Sequence, residues 1–318
     1  MSTDLAVVGT VVPRMGLVDK VQGKTRYTAD LKRPGMLYGR VLRSPHAHAR
    51  IVNIDVSEAT RMPGVYAVLT HCDVPAVRID ADLLPLDEIV RFVGDEVAVV
   101  AAESEILAED ALRLIRVEYE VLPAITTPEE GLAHPETQVN EKASEGNVSK
   151  HVHLEFGPVD DLLAKSDEVV EAEYWYEGST HGEIEPHCCV AEFDATGFLT
   201  VWSATQVAHY LHRDLAKVLA LPTQRIRVIQ PVVGGAFGGK SEPFSLEFCA
   251  AKLSMVTGRP VKILYTREEV FYAHRGRHPM RLRYRTGVMR DGTLTGTDAK
   301  ITIDGGAYSS FGLVTTYY

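Results

Sequence analysis

The sequence predicts an α+β protein built as two units with a polar linker between them. Three observations carry this expectation. The 318 residues, 45% of them hydrophobic, suffice for roughly two domains with a sizeable core. Strand-length apolar runs are interleaved with three helix-length segments, two of them amphipathic. The stretch TTPEEGLAHPETQVNEKASEGNVSK, rich in Pro, Gly, Glu and Ser, holds few large apolar residues, and it sets a boundary at 126–150.

The first unit, 1–125, reads as a mixed α/β fold. RYTAD (26–30) and GMLYGRVLRS (35–44) have strand character, and VYAVLT (65–70) and EVAVVAA (96–102) are apolar, β-branched runs of strand length. Ser104 offers an N-cap for a helix to about Arg116, with Leu107, Ala111, Leu114 and Ile115 on one face. VEYEVLP alternates and stops at Pro123.

The second unit, 151–318, opens with HVHLEFG. Between 168 and 177, Val170, Ala172, Tyr174 and Tyr176 alternate with polar or charged neighbours and Trp175, the pattern of a half-buried strand. CVAEF and FLTVWS flank a turn containing Asp194 and Gly197. Leu211, Leu215, Val218 and Leu219 define one face of a helix over 207–220 that ends before Pro222. A strand-like run from Ile226 to Val233, a glycine loop, a helix near 244–257 stopped by Gly258, and the strand PVKILYT follow. RLRYRTGVMRDGTLTGTDAKITID is a hairpin turned at Asp291-Gly292. The end, GGAYSSFGLVTTYY, is apolar and aromatic where chain ends are usually polar, so the surface is expected to continue into another polypeptide.

The totals exclude several classes. A net charge of −10 argues against a global nucleic-acid surface. No run of about 18 apolar residues offers a membrane helix, and MSTDLAVVGT lacks the form of a secretory signal. Cys72, Cys188, Cys189 and Cys249 form no CxxC, which argues against a disulfide framework or zinc knuckle and for a cytoplasmic location.

The segment GGAFGGKS (234–241) fits the phosphate-loop pattern GxxxxGK[ST]. KITID (300–304) supports that reading as a metal-binding strand ending in Asp304. Three features oppose it: Phe237 sits inside the would-be phosphate nest, Pro243 falls where the helix should be under way, and the loop comes late in the chain. Two glycine pairs around one aromatic instead suggest backbone that approaches a ligand closely.

VVGGAFGGKSE resembles the glycine–phenylalanine loop of the molybdenum hydroxylases, the xanthine dehydrogenase/aldehyde oxidase family. SATQVAHY (203–210), SPHAHARI (44–51), KVQGKTRYTAD (20–30) and REEVFYAHRGRHP (267–279) resemble further segments of that family, in order and over nearly the whole chain. Within it the likeness is to the 4-hydroxybenzoyl-CoA reductases and the split nicotinate dehydrogenases. The resemblance implies an a/b hammerhead domain followed by the first molybdopterin-binding domain, and a molybdenum–molybdopterin cofactor in its cytosine dinucleotide form. It implies that Gln206 stands beside the molybdenum, that the backbone of Phe237 and Gly238 lies against the metal's oxo ligand and the substrate, and that Gly234, Gly235 and Gly239 permit this approach. Ala236 stands where the family more often has Gly. Ser241 occupies the place of the purine-binding glutamate, with Glu242 one residue on, which argues against xanthine or hypoxanthine as the substrate.

The resemblance also implies partners. The family's catalytic base glutamate and second molybdopterin-binding domain lie beyond the equivalent of Tyr318, so either a companion polypeptide supplies them or the sequence is a fragment; a second molybdopterin-binding chain is the favoured expectation, together with [2Fe-2S] and FAD subunits that carry the electrons away. The expected reaction is hydroxylation of an aromatic or N-heteroaromatic compound; reductive removal of a phenolic hydroxyl and nucleotide binding are the alternatives.

Other residues admit two readings each. His274 and His278 have metal-compatible spacing, but Gly276 and Pro279 favour exposed loop histidines. His209 and His212 lie on a solvated helix face or near the cofactor. Glu185 points into the active-site funnel or is a structural carboxylate bonded to backbone amides. Arg281, Arg283 and Arg285 share a strand face that suits a phosphate-bearing ligand or plain solvent.

Overall fold

The computed structural model describes residues 7–79, 82–141, 146–309 and 311–316; part of the expected linker and the last two tyrosines fall outside them. The first half runs α1 (Leu17–Val21), β1 (Leu37–Arg43), β2 (Ala49–Asp55), α2 (Ser57–Arg61), β3 (Val65–Thr70), β4 (Ile89–Val90), β5 (Glu96–Ala102), α3 (Glu105–Leu112) and β6 (Arg116–Val121). A short α4 (Pro128–Ala133) lies in the polar stretch. Then come α5 (Val159–Ala164), β7 (Glu168–Tyr176), β8 (Cys188–Phe193), β9 (Leu199–Ser203), α6 (Ala208–Leu219), β10 (Ile226–Ile229), α7 (Ser245–Thr257), β11 (Val261–Leu264), α8 (Arg267–Tyr272), β12 (Met280–Val288), β13 (Leu294–Ile303) and α9 (Gly312–Thr315).

Three expectations of local structure change. RYTAD is no strand: Thr28–Asp30 forms a 3-10 turn, because the Asp30 carboxylate accepts from Tyr27 N at 2.9 Å and closes it. The helix capped by Ser104 stops at Leu112, since Arg116 already pairs with Asp55 in the β6–β2 ladder. The strand after α6 ends at Ile229, and Val232 then bridges to Tyr27.

A seven-stranded sheet in the order β10-β9-β8-β11-β1-β5-β3 forms the centre. Strands from both sides of the 126–150 stretch share it, joined where β1 runs parallel to β11 in the register Leu37↔Val261. β5 shows why EVAVVAA serves as an interior strand. Val99 and Ala101 face the cluster that contains Leu246, Phe248 and Leu253 of α7, while Ala98, Val100 and Ala102 face Ala108 and Ala111 of α3. Helix α7 is apolar nearly all round and buried accordingly, and Gly258 ends it at φ +65°.

Two polar devices lie in this core. Arg43 on β1 binds Glu96 of β5 at 2.9 Å and Glu269 of α8 at 3.0 Å, beneath the ring of Tyr265 at 4.5 Å, and so fastens the two halves together. Glu247 in the first turn of α7 accepts from Phe244 N at 2.9 Å and from the Ser203 hydroxyl at 2.8 Å; burial pushes its carboxyl up to about 7.

Two three-stranded sheets complete the fold, β4-β2-β6 and β13-β12-β7. The second corrects an expectation. The alternation in β7 does specify a strand, but the strand is not half buried, because no described element covers its apolar side: Val170 and Tyr174 are 52% and 58% exposed. Arg281, Arg283 and Arg285 share the opposite face. Arg285 pairs with Glu171 at 3.4 Å and Asp298 at 3.3 Å, and Arg281 with Glu129 at 2.8 Å. That face is an ion-paired ladder.

Candidate cofactor-binding site

The glycine loop is held from behind by one buried ion pair. Lys240, 1% exposed, directs its Nζ to the Glu185 carboxylate at 3.1 Å and to the Glu185 carbonyl at 2.8 Å. The same carboxylate accepts from Gly234 N at 2.7 Å. Glu185 is thus a structural carboxylate that ties the loop's two ends to the segment before β8. A phosphate loop needs its lysine facing the ligand; here the cation points into the protein, and α7 begins only at Ser245. Packing allows no side chain at Gly234, where a Cβ would lie 2.7 Å from the Glu185 Cβ.

At the crest of the loop Phe237 adopts φ +53° and is 76% exposed. The left-handed region costs an L-residue about 1–2 kcal/mol, and an exposed ring recovers little by burial. Gly239 N→Ala236 O at 2.8 Å and Ser241 N→Gly238 O at 3.1 Å enforce the turn. Phe237→Gly should therefore raise stability by up to about 1 kcal/mol in denaturant unfolding, since the change removes backbone strain. A loss of 2 kcal/mol or more, on the order expected for a buried ring, would show that the ring packs against the fold.

Gln206, in the turn before α6, meets this crest. Its Oε1 accepts from Gly238 N at 3.2 Å, Lys240 N at 3.3 Å and the Ser241 hydroxyl at 3.2 Å, while its own N–H donates to Lys240 O at 2.8 Å. Two backbone donors on one atom identify it as the oxygen, so the amide NH2 is the outward group, without a partner among the described residues. An outward NH2 donor beside the exposed Phe237–Gly238 crest fits a group that presents an oxo ligand, and the residues present therefore suit the cofactor that the loop motif implies.

Beneath the loop lie residues that the motif does not announce. His187 Nε2 donates to Gly239 O at 3.2 Å. Burial first of all pulls His187 down to about 3, so it stays neutral and its 3.4 Å approach to Glu183 is no ion pair. His181 fills the space where a Gly239 Cβ would stand, at 2.7 Å from its Nδ1. The density of His and Glu in HGEIEPH, just before a buried strand, is the signal that could have found them. Ala236 is buried, so the departure from Gly is accommodated as packing. Gly235, at φ +112°, needs the freedom that Gly provides. Ser241 is half buried and belongs to the Gln206 cluster. Glu242, 6% exposed, is paired with Arg275, whose guanidinium also reaches Pro243 O at 3.1 Å and lies 4.7 Å over Phe244.

A cleft of about 610 Å³ runs past Gly238, Gly239 and Glu242 to the 271–279 and 304–311 segments, but Gln206, Phe237 and Ser241 do not line it. His274 and His278 lie on its wall and are half buried, against the exposed positions expected; His278 Nδ1 donates to Asp304 O at 3.0 Å. Among the described residues no group of three His, Cys, Asp or Glu side chains is placed to hold a metal ion. His209 is exposed, while His212 Nε2 ties α6 to the turn at Thr223 O and Ile226 O.

Residues 139–318 match the family described as the molybdopterin cofactor-binding domain, and residues 22–123 match the aldehyde oxidase and xanthine dehydrogenase a/b hammerhead domain. The chain belongs to the xanthine dehydrogenase/aldehyde oxidase family of molybdenum hydroxylases. It is similar to the nicotinate dehydrogenase large molybdopterin subunit of Eubacterium barkeri, 38% identical over 98% of this chain and 74% of that one. It is 38% identical to a probable xanthine dehydrogenase subunit of Bacillus subtilis over 92% of this chain, yet spans only 40% of that relative. The solved quinoline 2-oxidoreductase from Pseudomonas putida 86 superposes with a TM-score of 0.86 at 34% identity, covering 94% of this chain and 40% of that one. This molybdenum hydroxylase chain is thus a hammerhead domain followed by a molybdopterin-binding domain, and no helix among the described residues is long and apolar enough to cross a membrane.

Proposed function

We propose that the chain is the molybdopterin-binding part of a multisubunit molybdenum hydroxylase that acts on an aromatic or N-heteroaromatic compound. In this reading 1–125 is the hammerhead domain, 126–150 a linker and 151–318 the first molybdopterin-binding domain, in a cytoplasmic complex with a second molybdopterin-binding chain and [2Fe-2S] and FAD subunits. The cofactor takes its cytosine dinucleotide form. The carrying observation is the Gln206 amide, locked by its oxygen to the loop so that its NH2 projects beside the strained Phe237–Gly238 crest. When bound, the molybdenum cofactor supplies oxygen transfer and two-electron redox chemistry. The chain's residues orient: the Gln206 NH2 donates to the ligand, the exposed crest admits it closely, and Lys240–Glu185 keeps the crest in place. Relatives named nicotinate dehydrogenase and nicotine 6-hydroxylase, and the quinoline oxidoreductase, support the heteroaromatic class. The engagement of Glu242 by Arg275 supports a substrate other than a purine.

Gln206→Ala in the native complex should lower metal affinity or turnover by about 10–100-fold, the usual effect of losing an outer-shell donor. The molybdenum(V) resonance should shift with it. Wild-type turnover and an unchanged resonance in that variant would remove Gln206 from the site.

A further inference from the structure

The segment that backs the glycine loop has no sheet to hold it. Residues 183–186 precede β8, bend at 184–185 and pair with no strand among the described residues. Glu183, Glu185 and His187 are buried, while Ile184 between them is 88% exposed. The three buried side chains meet successive parts of the loop. Glu183 packs against Gly235, where an added Cβ would stand 3.4 Å from its own Cβ. Glu185 takes Gly234 N and Lys240 Nζ, and its backbone N–H donates to Gly234 O at 3.2 Å. His187 Nε2 reaches Gly239 O. The position of the crest therefore depends on how firmly 183–187 is fixed.

Backbone outside a sheet still needs donors for its carbonyls. Here cationic side chains supply them, to three carbonyls in succession. Lys240 Nζ binds Glu185 O at 2.8 Å, and Arg267 binds the other two, Glu183 O through Nη1 at 2.7 Å and Ile184 O through Nη2 at 2.6 Å. One guanidinium thus spans two neighbouring carbonyls, a geometry that suits its rigid planar fork better than a compact ammonium. Arg267 itself stands on a firm base. It is the first residue of α8, whose capping box joins Thr266 N to Glu269 Oε2 at 2.7 Å and Glu269 N to the Thr266 hydroxyl at 3.1 Å. Glu269 in turn holds Arg43 of β1 at 3.0 Å. The hydrogen bonds of Arg267 go to 183–184 and none goes to the loop, so it connects the core to the back of the loop at one remove.

We propose that Arg267 is a positioning residue for the cofactor crest: by clamping the Glu183 and Ile184 carbonyls it sets where Phe237 and Gly238 stand relative to Gln206. The proposal rests on the function proposed above. Arg267 is exposed, so its loss costs the fold little and is felt at the site instead. Without the guanidinium the two carbonyls turn to water, and Glu183 and Glu185 carry the loop with them.

The test compares wild type, Arg267→Ala, and Arg267→Ala with millimolar guanidinium, each as the natively purified complex. Hydrogen exchange is read at 234–241 and in α7, beside the molybdenum(V) resonance and steady-state kinetics. Arg267→Ala should exchange about 5-fold faster at 234–241, with α7 and the thermal midpoint unchanged. Its turnover should fall about 10-fold with KM unchanged, and its resonance should shift, because the support around the metal changes and the substrate contacts do not. Guanidinium should reverse these changes in part. Glu268→Ala, on the same exposed turn of α8, should cause none of them. Wild-type exchange at 234–241, or a wild-type resonance, overturns the proposal. So does a lowered thermal midpoint with faster exchange throughout, which would make Arg267 a prop of the fold at large. A complex without molybdenum overturns the proposed function instead, and exchange at 234–241 then decides by itself whether the clamp holds the loop.

Discussion

Lys240→Ala should destabilise the chain by about 3–5 kcal/mol, the effect of stranding one partner of a buried ion pair. The Glu185 carboxylate would remain 6% exposed with only Gly234 N to bond. Glu185→Gln in the same chain should restore much of the loss, since a neutral amide still accepts from Gly234 N. Urea unfolding of the two single variants and the double variant measures the coupling. In the same preparations, ATP with magnesium should leave the wild-type midpoint unchanged, because the lysine that would bind phosphate is turned inward. A Lys240→Ala chain as stable as wild type would show that the ion pair does not hold the loop. Clear stabilisation by ATP, abolished in that variant, would revive the phosphate-loop reading.

Glu247→Gln should make stability less dependent on pH, by about 3 kcal/mol between pH 4.5 and 8, since a pKa displaced by one pH unit is worth about 1.4 kcal/mol. Burial raises the folded-state carboxyl from 4.5 to about 7. Below pH 4.5 both states are protonated and the raised value contributes its full stabilisation. From 4.5 to 7 the unfolded chain releases a proton that the folded chain keeps, so wild-type stability falls as pH rises. The glutamine variant can still accept from Ser203 and lacks this slope. Matched urea midpoints at pH 5 and pH 8 decide it; parallel curves for the two proteins would mean that Glu247 titrates normally.

Local signals carried far in this chain, and long-range ones did not. The spacing of Leu211, Leu215, Val218 and Leu219 specifies α6, Gly258 marks the end of α7, and Asp291-Gly292 marks the hairpin of β12 and β13. Each depends on neighbours a few residues apart. The parallel pairing of β1 with β11 joins Leu37 to Val261, and no periodicity reports such a register. The strand pattern in β7 is correct, but alternation records what a face is made of and not what covers it.

The site divides the same way. Gln206, Phe237 and Gly238 were legible because the motif names them, and the structure brings all three together at the exposed crest. The motif could not show that Gln206 anchors by its oxygen and offers its nitrogen. Nor could it show that Lys240 reaches back to Glu185, or that Glu242 is held by Arg275. These are contacts between segments dozens of residues apart. His181 and His187 stand out beside Glu185 in the sequence but carry no assignable role there, because a histidine before a buried strand looks the same whether it supports a loop or fills a core.

The central claim is that the crest of the glycine loop, with Gln206, holds a molybdenum cofactor. The most direct measurement is the molybdenum content of the complex purified natively through this chain, per mole of chain. Molybdenum stoichiometric with the wild-type chain, and depleted in the Gln206→Ala variant, is the predicted result. An intact native complex without molybdenum would contradict it.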